Sequence, residues 1–466
     1  MSGGKANWTM APLGEVATLK TGPFGSALHK EDYVSGEIPL INPTHIRDGK
    51  LSPAPSVTIT PVTASKLREY WLAAGDVVMG RRGEMGRCAV VPDASAGWVC
   101  GTGSVIVRPS MSVDSTYLQR FLSSPATVAK LIGDSVGSTM VNLNQSVLLG
   151  LTVPLPPLAE QKRIADKLDT MLACVDACQG RLDRASDKLR LFRKSVLSAA
   201  VSGQLCTSCG GDGKHTWKKA RAADVCAKVQ SGGTPKSGFV SESGIPFLKV
   251  YNIVDQQVAF DCRPQFVTAE VNRGPLAKSV ALPGDVLMNI VGPPLGKVAV
   301  VPYEYDEWNI NQAITLFRPS EKITTGWLYI LLCHGENIRD IVNETRGSAG
   351  QVNISLSQCR DFLFPVPSID EQNKIVRKVG ELFSLADEIE KRLVAAVKSV
   401  ERLTPALLAK AFRGELVPQD PNDESAAELL KRLAGQQSES RAGTKRKGSK
   451  GARQFTPSDA ENSFIE

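Results

Sequence analysis

Few stretches of this chain have the residues that catalysis needs. Gly292-Pro293-Pro294-Leu295-Gly296-Lys297 comes nearest to a phosphate-cradling loop. It is one residue short of that pattern, and Val298 stands where a Ser or Thr would hold magnesium. The Pro293-Pro294 pair has Gly292 before it and Leu295 after it, so it lacks the hydrogen-bonding side chain and stacking ring of a loop that methylates a flipped base. There is no G-x-S-x-G elbow and no H-E-x-x-H, and four histidines (His29, His45, His215, His334) leave few candidates for acid–base work. Cys206, Cys209 and His215 could supply three zinc ligands, with Cys226 as a fourth. That pattern lacks a second properly spaced pair and its glycines suit a flexible linker equally well, so no metal site is assigned. The residue types point to a chain that binds rather than one that converts a substrate.

Polar chemistry is concentrated instead in loops. The loop MGRRGEMGRC carries Arg81, Arg82 and Arg87 directly after a predicted strand, and the loop MNIVGPPLGK carries Asn289 and Lys297. Arg is suited to bidentate contact with guanine, and Asn or Gln with adenine. A second cluster comprises Lys249 and Asn252, which align near His45 and Arg47, together with Asn311 and Gln312. The candidate DNA-binding residues are therefore Arg47, Arg81, Arg82, Arg87, Lys249, Asn252, Asn289, Lys297, Asn311 and Gln312. Any one of them could be a solvated loop residue. As a group they stand out because related positions keep the scaffold residues and change the polar ones.

The elements that must position these loops occur twice. Gly75-Asp76-Val77-Val78 answers to Gly284-Asp285-Val286-Leu287, Ala89-Val90-Val91-Pro92 to Ala299-Val300-Val301-Pro302, and Trp98 to Trp308. Arg108-Pro109 answers to Arg318-Pro319, Val141-Asn142-Leu143 to Val352-Asn353-Ile354, and Glu160-Gln161 to Glu371-Gln372. So steady an offset means tandem duplication. In each copy short β-rich runs bounded by Gly and Pro (DVVMG, RCAVVP and SVIVRP; DVLMNIV, KVAVVP and AITLFRP) predict a sheet, and helical patterns follow at about Ser115–Ile132 and Thr325–Val342. The class is α+β, with the strand order undetermined.

Each globular copy runs into a long helix. Apolar residues fall at Ile164, Leu168, Met171, Val175, Cys178, Leu182, Ala185, Leu189, Phe192 and Val196, and again at Ile375, Val379, Leu382, Ala386, Ile389, Leu393, Ala396, Val400, Leu403 and Leu407, displaced by 211 positions. Alternating steps of four and three give the 3.5-residue period of a coiled-coil seam, and the simplest partner for each helix is the other. Ser368-Ile369-Asp370-Glu371 has the form of a capping box; Glu160, after Pro156-Pro157, favours the positive end of the first helix. Gly180 weakens the first helix in its middle, and Pro405 predicts a kink or restart near Thr404 with the seam resuming on the same face. The predicted organisation is 1–154 first globular domain, 155–205 first long helix, 206–216 linker, 217–365 second globular domain, 366–418 second long helix, and 419–466 a polar, disordered tail with one amphipathic piece at Glu424–Leu433.

Composition sets outer limits. At 466 residues the chain is long enough for two or three domains, and 55 Lys and Arg against 48 Asp and Glu leave a net charge of +7, mild for a nucleic-acid binder. The opening MSGGKANWTM has no signal-peptide core and no apolar run is long enough for a bilayer, so a cytoplasmic protein with reduced, core-filling cysteines is expected.

Two recognition-like domains, each followed by a heptad helix, with PLPPLAEQKRI or PVPSIDEQNKI at the helix entry and SAAVSGQL or AKAFRGELVP at its exit, resemble the specificity subunit of a type I restriction-modification system over Trp8 to Pro418. The resemblance implies two helices packed as an antiparallel intramolecular coiled coil, a fixed spacer between two domains. Each domain would read one half of an asymmetric, bipartite site in double-stranded DNA. Two methyltransferase subunits would dock alongside and restriction (translocase-nuclease) subunits would complete the complex, with no membrane partner. No cofactor is expected on this chain, neither S-adenosylmethionine nor ATP, and no catalytic residue. Two other readings are open to the residues alone: a stand-alone DNA methyltransferase or nuclease with a degenerate active site, and a coiled-coil interaction protein that does not touch DNA.

Overall fold

The computed structural model describes residues 7–23, 27–133, 143–205, 217–240, 242–344 and 353–432. The linker 206–216, with Cys206, Cys209 and His215, and the tail beyond 432 lie outside the described residues. The chain forms two units, Met1–Gly180 with Val397–Glu466, and Arg181–Ala396. Each unit thus holds one globular domain, the first part of the helix that follows it, and the last part of the other long helix.

In the first unit a four-stranded antiparallel sheet runs Ala17–Thr21, Ser104–Pro109, Val77–Gly80, Cys88–Val90. A second sheet runs Val99–Cys100, Ile38–Ile41, Thr58–Ile59, Tyr33–Val34, its first pair parallel. Strands Thr9–Pro12 and Thr152–Leu155 pair antiparallel at the base of the long helix. The second unit repeats this plan in its own residues. Cys226–Ser231, Ile314–Pro319, Val286–Asn289 and Val298–Val300 form the four-stranded sheet, and Lys219–Arg221 pairs with Leu363–Pro365. The other sheet gains a fifth strand, Val280–Ala281, beside Trp308–Ile310. The predicted β-rich runs are all strands, and the duplication extends to strand order.

The recurring Gly-Asp and Arg-Pro landmarks hold the four-stranded sheets together. Asp76 takes two bonds of 2.7 Å from the Arg108 guanidinium and accepts from the Ala73 amide at 2.8 Å. Asp285 does the same with Arg318 at 2.8 and 2.7 Å and with the Leu282 amide at 2.8 Å. Both carboxylates are 2% exposed, so the fork of two bonds offsets the cost of burying their charge.

The helical stretches after the sheets are each two helices. Ser115–Leu122 is followed by Pro125–Gly133, whose leading proline suits a helix start; Thr325–His334 ends on Gly335 in the left-handed region (φ 69°) before Glu336–Glu344. The first long helix runs unbroken over Leu158–Val201, through Gly180. The second is Ile369–Glu401 and then Leu403–Phe412, interrupted at Arg402, which keeps helical angles. Pro405 cannot donate to the carbonyl four residues back, at Glu401, and the break falls there. The restart falls near Thr404 as expected; of the two rungs past it, Leu403 is 45% exposed, whereas Leu407 is half-buried against the cluster that holds Leu408 and Ala411.

Within the first unit Leu408 and Ala411 share a buried cluster with Ile164, Leu168 and Tyr117, and Phe412 meets Tyr117 and Phe121 edge-on at 5.5 and 5.3 Å. Within the second, Val196 and Ala200 share a core with Ile375 and Val379, while Arg193 bridges Asp387 (2.7 Å) and Glu390 (2.8 Å). Of the remaining predicted rungs, Phe192, Ile389 and Cys178 are exposed. Ala386 is buried, and the rungs Met171, Val175, Leu182, Ala185, Leu189, Leu393, Ala396 and Val400 are half-buried. Past Pro418 the amphipathic piece is helical over 426–432; Ala426 donates to the Asn7 carbonyl, and Asp423 pairs with Arg163 at 2.6 Å. This part of the predicted tail is ordered onto the first unit because Ala426 and Leu429 are buried there.

Candidate nucleic-acid interface

Each unit sets two polar loops side by side. In the first, Ile46–Arg47 and Lys50–Leu51 form a short hairpin turning through Asp48 (φ 49°) and Gly49 (φ 72°). Left-handed angles at both turn positions match the twist of the strands, and Asp-Gly is the dipeptide that adopts them most readily. This hairpin and the loop after Val77–Gly80 border one groove of about 260 Å³, lined by Asp48, Gly49, Glu84, Arg87 and Arg120 among others.

The four candidate arginines of this unit differ in how far they are committed. Arg81 is half-buried and its Nε donates to the Leu143 carbonyl at 2.8 Å; burial, with the charge of Arg82 beside it, lowers its pKa from the ordinary arginine value. Arg87 pairs with Glu84, its Nε at 2.9 Å from the carboxylate. Arg47 is exposed and bonds the Thr44 carbonyl at 3.2 Å. Arg82 is exposed and makes no hydrogen bond or ion pair among the described residues.

In the second unit the equivalent hairpin, Ile253–Val254 with Gln257–Val258, turns through Asp255 (φ 49°) and Gln256 (φ 61°). Gln256 is a large residue where the first copy has glycine, and its surroundings hold it: its Oε1 accepts from the Val298 amide and its carbonyl from the Tyr329 hydroxyl. Lys297 ties the loop to the hairpin by donating to the Ile253 carbonyl at 3.2 Å. Lys249 lies with its ammonium 5.5 Å from the centre of the Phe239 ring, a cation–π contact. Gln312 is exposed and accepts from the Thr234 hydroxyl, while Asn311 is half-buried with a buried Oδ1 that has no partner among the described residues.

Two candidate readers face inward. Asn289 is 1% exposed; its Oδ1 accepts from the Lys297 amide at 2.6 Å and its Nδ2 donates to the carbonyls of Pro294 (2.8 Å) and Val291 (3.3 Å). Asn252, also 1% exposed, accepts from the Lys249 amide and donates to the Cys262 carbonyl, both at 3.0 Å. Both amides shape the loops from beneath. Gln256 and Arg120 are the residues the sequence reading passed over: a Gln in a turn carries no left-handed signature, and Arg120 lies on a helix far from either loop in sequence.

The arrangement offers exposed guanidinium and amide groups and half-buried ammonium groups on loops braced by buried amides. Among the described residues no group of His, Cys, Asp and Glu could hold a metal ion, and no helix is long and apolar enough to cross a membrane. The family model of the type I restriction modification DNA specificity domain matches residues 5–185 and again 214–399. The chain is 29% identical to the type I restriction enzyme StySPI specificity subunit of Salmonella potsdam over 448 residues, covering 91% of this chain and 94% of that one. It is 28% identical to the EcoKI specificity subunit of Escherichia coli strain K12, covering 94% and 98%. Among solved structures, the fold is similar to a chain from work on assembly and conformational transition of the type I R-M system (TM-score 0.68, 21% identity, 88% of this chain and 98% of that chain). It is also similar to the HsdS subunit of Thermoanaerobacter tengcongensis (TM-score 0.56, 22% identity, 88% and 97%).

Proposed function

Since the chain belongs to the type I restriction modification DNA specificity family, whose model matches both of its repeats, we propose that it is the DNA-recognition subunit of a type I restriction-modification complex and reads a split, asymmetric site. Each globular domain reads one half-site. The long helices pack antiparallel as an intramolecular coiled coil and set the distance between the halves. The observation that carries this reading is one strand order built twice, bearing loops that differ in polar chemistry: Arg82 and Arg87 in one, Lys297 and Gln256 in the other. Like scaffolds with different readers call for two different half-sites.

Methyl transfer to adenine, translocation and cleavage belong to partner subunits, two methyltransferases and the translocase-nucleases, working in the cytoplasm. This chain supplies no catalytic group and binds neither S-adenosylmethionine nor ATP. The buried amides of Asn252 and Asn289 support the loops; the exposed Arg47, Arg82 and Gln312 are the better-placed contacts, with the half-buried Lys249 and Lys297 next and Arg81, Arg87 and Asn311 partly committed within the protein. Genome-wide adenine-methylation mapping with and without the gene for this chain is the test. The expected result is a single two-part motif, with unlike halves at a fixed spacing, that disappears on deletion. Methyl transfer by the purified chain alone, with S-adenosylmethionine and DNA, would refute the division of labour.

A further inference from the structure

The helix-entry motif contains a side chain that neither the sheets nor the recognition loops use. Gln161 and Gln372 are the fourth residues of the two long helices, and both are wholly buried. In the first unit Gln161 donates from Nε2 to the carbonyls of Pro156 (2.9 Å) and Ser112 (3.3 Å), and its Oε1 accepts from the Asp114 amide (2.9 Å). In the second Gln372 donates to the carbonyls of Pro367 (3.0 Å) and Lys322 (3.0 Å) and accepts from the Thr324 amide (2.8 Å). Asp114 and Thr324 are the N-caps of the domain helices Ser115–Leu122 and Thr325–His334. From those same helices a second tie reaches the strand that leads into the long helix. Tyr117 donates its hydroxyl to the Pro154 carbonyl (2.6 Å), and Trp327 its indole N–H to the Pro365 carbonyl (3.0 Å).

Apolar packing holds two elements at a distance but resists small rotations weakly, whereas hydrogen bonds are directional. An amide with three backbone partners on two segments has one orientation that satisfies them all. Such an amide can therefore fix the angle at which each long helix leaves its domain more tightly than apolar neighbours such as Ile164, Leu168, Ile375 and Val379. A helix of the first one's 44 residues is about 66 Å long, so a tilt of about 5° at its root moves its far end by roughly 6 Å. That exceeds the rise of one base pair, about 3.4 Å.

We propose that Gln161 and Gln372 are positioning residues that determine which spacer length the protein accepts, without touching DNA. This rests on the split-site reading above. The full chain, assembled with its methyltransferase subunits, is given duplexes that keep both half-sites and vary the spacer one base pair at a time, and adenine methylation is read for each. A wild-type complex indifferent to spacing would sink the split-site reading itself, before any variant is made. With wild type selective, Gln161→Met is expected to lower the preference for the favoured spacer over its one-base-pair neighbours by about tenfold, the scale of one lost buried hydrogen bond, with both half-sites unchanged. Equal loss of methylation at every spacer would make the glutamine a stabilising residue only and overturn the proposal. Gln161→Asn, which keeps the amide on a shorter arm, is expected to show a smaller loss of the same kind. If Gln161→Met does not assemble, Gln161→Asn and Gln372→Asn are judged by the same ratio.

Discussion

Arg82 and Asn289 show how differently two polar side chains on corresponding loops are employed. Arg82 is exposed and uncommitted among the described residues, whereas Asn289 spends its amide on three backbone groups of its own loop. Arg82→Ala is expected to leave thermal unfolding within about 0.5 kcal/mol of wild type. It should weaken binding to the cognate duplex by roughly 1–3 kcal/mol if the guanidinium reads a guanine. A uniform weakening on all sequences, with a shallower salt dependence, would assign it to a phosphate instead. Asn289→Ala should do the reverse in kind: it orphans buried backbone groups at a cost of about 1–3 kcal/mol each, and a melt that does not move would contradict the role given to it. The sequence does not separate a reader from a brace, because the Asn289 amide that would pair with adenine is the same group that pairs with a peptide. Only burial separates them, and burial depends on residues distant in the chain.

At the scale of elements, the two long helices begin with different chemistry. Ser368 and Glu371 exchange the bonds of a capping box, the Ser368 amide donating to Glu371 at 3.0 Å and the Glu371 amide to the Ser368 hydroxyl at 3.4 Å; the first helix has Pro157 at the matching position. Ser368→Ala is expected to cost about 1 kcal/mol in denaturant unfolding, and an unchanged midpoint would mean that the glutamine joint alone holds the entry. This box was legible from four residues because capping is local. So were the strands Val77–Gly80 and Ser104–Pro109 and their counterparts, as apolar β-rich runs between Gly and Pro. The two-residue strands of the second sheets were not, since two residues carry no period and their pairing is decided by the chain packed around them. The seam was legible as a repeat, and most of its rungs are buried or half-buried. Its strict four-three rungs include Phe192, Ile389 and Leu403, which are exposed, because period alone does not say how far a partner covers a helix or how a break at Arg402 turns its face.

For the whole molecule, the proposed reading of two half-sites would turn length into specificity. The net charge of +7 is too modest to select a sequence, and salt-dependent attraction to phosphates is blind to spacing. On that proposal the discriminating quantity is the geometry carried by the helices, which would contribute no base contact. Four residues inserted after Gln179 in the first helix would add about 6 Å of rise and close to one full turn, keeping the apolar face nearly in phase. Between one and two base pairs of duplex span the same distance. Methylation mapping of the insertion variant should therefore return both original half-sites with a spacer changed by one or two base pairs. Altered bases within either half-site would instead place recognition and spacing on the same elements, which the loops and helices described above do not share.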